Sequence, residues 1–254
     1  MASTKKVRIA AVADIHCTRN SQGAFGALFK QASEQADILV LAGDLTDYGA
    51  PEEAHILAKE IASHLRIPVV AVLGNHDFEG GAQEEITAIL RDAGVYMLDG
   101  DSCELLGIGF AGVKGFAGGF GRHALGSWGE AVIKQFVQEA VNEALKLETA
   151  LARLRTREIV VVLHYAPIQA TVEGEPVEIY AYLGSSRLQE PIIRYLPSVV
   201  FHGHAHTGSP EGMLAAGDGE IPIYNVALPL LKKTGPDNAP LRIVELAADE
   251  AHSQ

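Results

Sequence analysis

The residues Gly203-His204-Ala205-His206 close a series of short polar motifs that begins near the N-terminus. Each member of the series follows an apolar run that predicts a buried strand. The earlier members are Asp14 with His16, Gly43-Asp44, Gly74-Asn75-His76-Asp77 and the single His164. When such strands lie side by side, the carboxylate, amide and imidazole groups at their ends can meet around cations.

Strands and helices alternate through the first part of the chain. Apolar runs at residues 7–13, 37–42 and 69–73 predict buried strands, and helical spacing or helix-start signals mark residues 24–36, 51–65 and 83–93. This alternation is typical of an α/β fold with a largely parallel sheet.

The pattern changes after residue 95. Short runs at residues 95–98, 103–106 and 108–113 favour successive antiparallel strands, and the glycine-rich residues 112–129 predict a long mobile loop. Residues 130–155 contain neither Gly nor Pro and predict one long amphipathic helix. Further strands are expected at residues 159–163, 199–201, 221–226 and 241–246, the last two as edge or second-sheet strands, and residues 171–186 are expected to be irregular. Without a linker-like segment, residues 1–254 are expected to form a single domain.

Composition excludes some functions. The chain has 254 residues, with 20 basic against 32 acidic side chains and a formal charge of −12. It therefore lacks the basic surface that a non-specific nucleic-acid binder needs, and no nucleic-acid polymer is expected as a partner. Cys17 and Cys103 are too few for a disulfide framework. The first apolar run is short and stops at Asp14, so we expect that it is neither a signal peptide nor a membrane span. We therefore expect a cytoplasmic protein.

The residue types at the strand ends point to a two-metal hydrolase site. Two divalent cations about 3.5–4 Å apart can clamp the attacking and leaving oxygens of a phosphoryl displacement and lower the pKa of a bridging water. Such a pair needs a bridging carboxylate, several imidazoles and carbonyl-type oxygens. In an extended segment the spacings Asp-x-His and His-x-His place both side chains of a pair on one face. The candidate ligands are Asp14, His16, Asp44, Asn75, His164, His204 and His206.

The order of these motifs, over about residues 7–210, resembles that of the calcineurin-like metallophosphoesterases. The resemblance implies a four-layer α/β/β/α sandwich with two mixed sheets between helices. The loop at residues 43–49, followed by Pro51 and Glu52, is also similar to the branch that contains bacterial class III cyclic-nucleotide phosphodiesterases.

The resemblance also implies roles for single residues. Asp14, His16 and His206 would hold one metal, and Asn75, His164 and His204 the other, with Asp44 bridging them. His76 would contact the phosphate and protonate the leaving group, and Asn75 would also act in catalysis by holding the phosphate oxygens together with the metals. Asp77 would orient His76, as carboxylates commonly do for working imidazoles.

Other readings of individual residues stand beside these. A lone His164 after a strand would more often be a core histidine than a ligand, and it gains its meaning from the other motifs. We expect His202 to pack behind the site and not to bind a metal, and we expect His55, His64 and His252 to face solvent. Cys17 stands where many members of the family carry glycine. We expect it to be a small packed side chain at the end of a strand, and not an oxidation-sensitive thiol or a contact to the metal.

The glycine-rich segment supplies further candidates. Arg122 and His123, with Trp128 beside them, either close over a substrate phosphate or sit on an exposed loop tip. Tyr180 and Tyr182 are further candidates for the wall of the pocket.

The sequence thus predicts a phosphoesterase that uses a metal-bound hydroxide, favoured as a phosphodiesterase on a small substrate. A phosphomonoesterase or nucleotide-pyrophosphate hydrolase is the alternative, and a non-catalytic metal-binding scaffold a distant one. The expected cofactors are two divalent or mixed-valence transition-metal ions, Mn, Fe or Zn. No membrane partner is expected, and the sequence does not decide whether the chain forms a homo-oligomer.

Overall fold

A computed structural model describes residues 5–234 and 240–248. In these residues the strands are β1 (Lys5–Val12), β2 (Ile38–Ala42), β3 (Val69–Val72), β4 (Val95–Met97), β5 (Asp101–Leu105), β6 (Ile108–Gly112), β7 (Glu158–Val162), β8 (Val199–His202), β9 (Glu211–Ala216), β10 (Gly219–Asn225) and β11 (Arg242–Ala248). The α-helices are α1 (Gly26–Gln35), α2 (Pro51–His64), α3 (Gln83–Asp92), α4 (Ala131–Arg153), α5 (Tyr180–Leu183), α6 (Gln189–Tyr195) and α7 (Leu228–Thr234). Short 3₁₀ turns include His76–Phe78 and Gly121–His123.

The strands form two mixed sheets. One has the order β11-β1-β2-β3-β4 and the other the order β5-β6-β7-β8-β10-β9. Strands β1 to β4 are parallel to one another, and so are β6, β7, β8 and β10, while β11, β5 and β9 pair antiparallel with their neighbours. The expected α/β fold with two mixed sheets is confirmed.

Side-chain alternation in the second sheet explains the layering. Phe110, Val160 and Phe201 lie in one hydrophobic core with the residues of the first sheet. Their neighbours Val161 and Val200 lie in a second core with α4 and α6. Because successive side chains of a strand point to opposite faces, the second sheet is covered by the first sheet on one side and by helices on the other. Both faces are buried, so these strands are continuously apolar.

One predicted strand has a different partner from the one expected. The short runs after residue 95 favoured antiparallel strands, which holds for β5 with β6, but β4 is parallel to β3 and completes the first sheet. The reason is α3, which connects β3 to β4 as a crossover and so brings the chain back in the same direction. Strand β9 and helices α6 and α7 lay outside the sequence-based expectations.

The prediction of a long mobile loop at residues 112–129 is wrong for its first half. Residues 113–120 are largely buried. The amide of Val113 donates to Val162, that of Gly118 to Ala181 and that of Gly119 to Gly184. Glycine allows this close packing, because a Cβ on Gly118 would stand 3.1 Å from the Ser185 hydroxyl. Residues 121–130 are mostly exposed.

Candidate metal centre

The candidate ligands all follow the carboxyl ends of parallel strands. Asp14 and His16 follow β1, Asp44 follows β2 and Asn75 follows β3, all in the first sheet. In the second sheet His164 follows β7, and His204 and His206 follow β8. Parallel strands end at the same edge of a sheet, so the two facing sheets bring these residues to one place.

The first cluster contains Asp14, His16 and His206. One potential ligand atom from each lies within 4.8 Å of the others. The Nε2 atom of His206 is 3.0 Å from Oδ1 of Asp14, and the carboxylate of Asp14 also accepts a hydrogen bond from the backbone amide of His204. The sequence predicted this set as the ligands of one metal.

The second cluster contains Asp44, His164 and His204, again with potential ligand atoms within 4.8 Å of one another. Asn75 joins it, because its Oδ1 atom lies 2.8 Å from Nε2 of His164. The other ring nitrogen of His164 is 3.1 Å from the carbonyl oxygen of Ala42. A hydrogen bond there fixes the tautomer that leaves Nε2 as a ligand.

Asp44 lies between the two clusters. Its Oδ2 atom is 3.8 Å from Nε2 of His16, and its Oδ1 atom is 3.4 Å from Nε2 of His164. Its side chain is 2% exposed, so neither oxygen is solvated like a surface carboxylate. Two oxygens that face histidines of different clusters are the arrangement that a carboxylate bridging two cations requires.

The Nε2 atom of His16 tests whether these residues fit a cation. It is buried and has no hydrogen-bond partner, whereas Nδ1 of the same ring is 3.1 Å from Oδ1 of Asp47. Asp47 therefore accepts the Nδ1 proton and leaves an unshared electron pair on Nε2, directed toward Asp44. A buried polar atom without a partner is costly, and a coordinated cation would satisfy it. The site fits the metal that its donor set implies.

Four of the site residues have an unusual backbone conformation. Asp14, His16, Asp44 and His204 have φ values of 56°, 45°, 48° and 69°. The left-handed region costs a non-glycine residue on the order of 1–3 kcal/mol and is found mainly where function demands a particular geometry. Two other described non-glycine residues share this conformation, so it is concentrated at the site.

Glycines in the motifs make room for the ligands. A Cβ on Gly43 would lie 2.4 Å from Nδ1 of His164, and one on Gly74 would lie 2.1 Å from Oδ1 of Asp44. Neither overlap can be relieved by a small movement. The glycine of each motif is therefore explained by the ligand packed against it.

Burial and mutual repulsion perturb the ionisation of the site. Burial and the nearby charge of Asp14 raise the pKa of Asp44 to about 7. For Asp14, burial alone would raise the pKa, but the hydrogen bond from His206 and the charges of the neighbouring histidines lower it. Burial and the repulsion from His164 lower the pKa of His204 to about 3, so that imidazole stays neutral and can donate an electron pair.

The ring of His76 is held by Asp47 and not by Asp77. Its Nδ1 atom is 2.7 Å from the carbonyl oxygen of Asp47. The carboxylate of Asp77 is fully buried and accepts hydrogen bonds from the backbone amides of Leu45, Thr46 and Gly74 and from the Thr46 hydroxyl. The expectation that Asp77 orients His76 directly is corrected, because Asp77 instead ties the β2 and β3 loops together.

Arg122 and His123 make no polar contact with the cluster among the described residues. Both are exposed, and Nε of Arg122 donates to Nε2 of His123 at 3.1 Å. Trp128 is 78% exposed. Among the described residues these side chains form no hydrogen bond, ion pair or ring contact with any of the seven candidate ligands. Tyr182 does reach the site, but through its backbone, whose carbonyl oxygen lies 3.2 Å from Nε2 of His204.

His202 and Cys17 are packed side chains, and the other described histidines outside the site are exposed. His202 is fully buried and lies 2.8 Å from the Thr171 hydroxyl, and His55 and His64 are exposed. His252 lies outside the described residues. Cys17 is fully buried, with its sulfur 3.4 Å from the carbonyl oxygen of Glu53 on α2.

The comparisons with known proteins agree with this geometry. The calcineurin-like phosphoesterase family matches residues 7–208, most of the chain. Two solved structures share the fold, each with a TM-score of 0.51: TT1561 of Thermus thermophilus, and a Staphylococcus aureus protein provisionally named a 5'-nucleotidase, solved with alpha-ketoglutarate.

The first is 15% identical, and the alignment covers 87% of this chain and 91% of that one. The second is 14% identical, and the alignment covers 96% of this chain and 51% of that one, so this chain spans about half of its length. No curated protein matches the sequence. Within the described residues, the longest apolar helical stretch falls short of what a membrane span requires.

Proposed function

This chain belongs to the calcineurin-like phosphoesterase family and is a metal-dependent phosphoester hydrolase, and we propose that it uses two cations to hydrolyse a small phosphodiester. The observation that carries the proposal is the position of Asp44, whose two oxygens face His16 and His164. A cation held by one cluster would meet only the oxygen that faces that cluster. The two clusters on either side of Asp44 supply the remaining ligands.

Each side chain has a proposed task. Asp14, His16 and His206 would hold one cation, Asn75, His164 and His204 would hold the other, and Asp44 would be shared between them. Two bound cations of this kind supply charge that stabilises the phosphoryl transition state and lowers the pKa of a water that attacks phosphorus. Mn, Fe and Zn all accept this mixture of oxygen and imidazole ligands.

His76 is the proposed proton donor to the leaving alcohol. The hydrogen bond from its Nδ1 to the carbonyl oxygen of Asp47 leaves Nε2 as the only ring nitrogen that can serve the substrate. Burial opposes protonation of the ring, but that hydrogen bond and the surrounding carboxylates raise its pKa. A raised pKa keeps more of the imidazole in its acidic form at neutral pH, which suits a general acid.

The preference for a small diester rests on the loop at residues 43–49 and on charge. That loop resembles the cyclic-nucleotide phosphodiesterase branch, and a net charge of −12 disfavours a polyanion. A phosphomonoesterase or a nucleotide-pyrophosphate hydrolase would present its phosphate to the same ligands. All candidate ligands and the phosphate-facing histidine are retained, which argues against a non-catalytic scaffold.

The test compares hydrolysis of bis(p-nitrophenyl) phosphate with that of p-nitrophenyl phosphate. The protein is first treated with a chelator and then supplied with manganese, iron or zinc singly, and bound metal is counted in the same samples. A diester preference that returns with about two metals per chain supports the proposal. A monoester preference moves the assignment to phosphatase.

The Asp44→Ala variant completes that experiment. It should lose both metals and all turnover, because both clusters depend on this carboxylate. Retention of two metals by Asp44→Ala, or bound metals without turnover of either ester in the wild type, would overturn the proposal.

A further inference from the structure

A cavity of about 410 Å³ adjoins the loop that carries Asn75 and His76. Its wall includes Leu73 and Phe78, the residues on either side of Gly74-Asn75-His76-Asp77. None of the seven candidate ligands lines it. The cavity therefore adjoins the loop that carries Asn75 and His76 without including the candidate ligands, and its size suits a small organic group.

Lys114 presents an ammonium group to this cavity. Its backbone carbonyl accepts hydrogen bonds from the amides of His164 and Tyr165, so it is fixed beside a candidate metal ligand. Its ammonium lies 5.2 Å from the ring centre of Phe78, 5.0 Å from that of Phe116 and 5.2 Å from that of Tyr165. The rings shield this charge from water without neutralising it.

The charge of Lys114 has no carboxylate in direct contact among the described residues. Its Nζ donates one hydrogen bond to a described residue, to the carbonyl oxygen of Gly115 at 2.9 Å, whereas an ammonium has three N–H groups to donate. Of the acids near this ammonium, Glu143 and Asp99 pair with Lys146, and Asp101 pairs with Arg91. Glu84 also lines the cavity and forms no ion pair among the described residues.

Another feature of the site agrees with a ligand. Arg91, the other basic residue of the cavity wall, pairs with Asp101, so Lys114 is the basic side chain of this wall that has no ion-pair partner among the described residues. A ligand with an anionic group would supply that partner.

We propose that this cavity receives the leaving group of the substrate and that Lys114 binds a second anionic group, a carboxylate or a phosphate, on it. The inference rests on the proposed function and adds the substrate class, a phosphoester with an anion on its alcohol portion. His76 and Phe78 belong to the same 3₁₀ turn, so the proposed proton donor is two residues from the cavity wall. In this proposal the alcohol portion of the substrate passes His76 and lies beside Phe78, whose ring centre is 5.2 Å from the ammonium of Lys114.

One substrate tests this inference by internal competition. Phenyl 3-carboxyphenyl phosphate can release either phenol or 3-hydroxybenzoate, two phenols of nearly equal acidity, so the product ratio reports how the enzyme orients the diester. The metal-loaded wild type should release 3-hydroxybenzoate in about tenfold excess, the order expected of one charge-assisted hydrogen bond. Lys114→Met should bring the ratio close to one, because it keeps the apolar stem and removes the charge.

Two further variants separate the charge from the fold. Lys114→Arg should keep the excess of 3-hydroxybenzoate. Lys59→Met, on the exposed face of α2, is the matched control and should behave as the wild type. Equal release of both phenols by the wild type, or an unchanged excess in a folded Lys114→Met, overturns the inference while leaving the proposed function intact.

A binding measurement distinguishes the two proposals. Saturation-transfer NMR compares 3-hydroxybenzoate with 3-hydroxybenzamide on wild type and Lys114→Met, and it needs no turnover. If the wild type binds 3-hydroxybenzoate better than 3-hydroxybenzamide and Lys114→Met does not, the anion site is supported. That result holds even if the enzyme releases neither phenol, because a lack of turnover counts only against the proposed function. Absence of that preference in the wild type, where turnover occurs, means that Lys114 is only a packed cation among aromatic rings.

Discussion

Asp47 contacts two histidines of the site in two different ways. Its carboxylate Oδ1 lies 3.1 Å from Nδ1 of His16, and its backbone carbonyl oxygen lies 2.7 Å from Nδ1 of His76. One residue thus fixes the tautomer of a candidate ligand and that of the proposed proton donor. In both rings the free nitrogen is Nε2, so Asp47 determines which atoms are available for chemistry.

Replacing Asp47 by Ala should weaken metal binding. The backbone contact to His76 survives, but His16 loses the acceptor that holds its ring, and losing such a partner typically costs about 10–100-fold in metal affinity. Competition with a chromogenic chelator measures that affinity. Asp218→Ala, an exposed carboxylate in the β9–β10 turn, is the control. Unchanged affinity in Asp47→Ala would mean that the contact to His16 does not support the metal.

His76→Asn should slow the chemical step and leave the metals in place. General-acid catalysis contributes about 10²–10⁴-fold, and it matters most when the leaving group is a poor one. We therefore expect a loss of about a hundredfold or more with an alkyl ester and a smaller loss with bis(p-nitrophenyl) phosphate. His55→Asn, on the exposed side of α2, is the control. An equal loss with both esters would point to phosphate binding in place of proton donation.

Gly43→Ala should displace His164. Gly43 has a φ of +87°, and an added Cβ would lie 2.4 Å from Nδ1 of His164, so the variant suffers both strain and overlap. Gly217→Ala is the matched control, since Gly217 has a φ of +60° but nothing within 4 Å of the added atom.

The strain alone costs about 1–2 kcal/mol, so both variants should lose that much stability in urea unfolding. Only Gly43→Ala should lose more stability and also metal, as measured by metal content. Full metal content in that variant would show that the site adapts to the added methyl group.

Both cysteines should be unreactive at neutral pH. Burial and the nearby charge of Glu53 raise the pKa of Cys17 to about 12, and burial raises that of Cys103 to about 11. At pH 8 only about one Cys17 in ten thousand carries the reactive thiolate. Reaction with 5,5'-dithiobis(2-nitrobenzoate) should be slow in the native protein and should reach two thiols in denaturant.

The same shift affects stability at high pH. In the unfolded chain the thiol loses its proton near the ordinary value of 9.0, whereas in the folded protein it stays protonated. The unfolded state therefore binds fewer protons above pH 9, and stability should fall as pH rises from there toward 12. Rapid labelling of Cys17, mapped by mass spectrometry, would contradict its packed position.

Local sequence predicted most of the elements because apolar runs and helical periodicity are local signals. The runs at β1, β2 and β3 and the long α4 could be recognised in this way. Strand β4 could be located but not paired correctly, since its partner depends on the α3 crossover and not on its own residues. The glycines before α4 have the composition of a mobile loop, yet half of that segment is buried, because packing against distant residues uses the absence of side chains.

The sequence by itself determined the family, the order of the motifs and the chemical types of the candidate ligands, because these depend on residue identity and spacing along the chain. Only the tertiary structure decided that the oxygens of Asp44 face two different clusters, that Asp47 and not Asp77 holds His76, and that the Arg122 side chain donates to His123. The environment of Lys114 was likewise not visible in the sequence. The fold surrounds its ammonium with three aromatic rings and places no acid in contact with it among the described residues. The physical reason is that hydrogen bonds and charge interactions act over a few ångströms in space, and residues far apart in sequence meet at that distance only once the two sheets have packed.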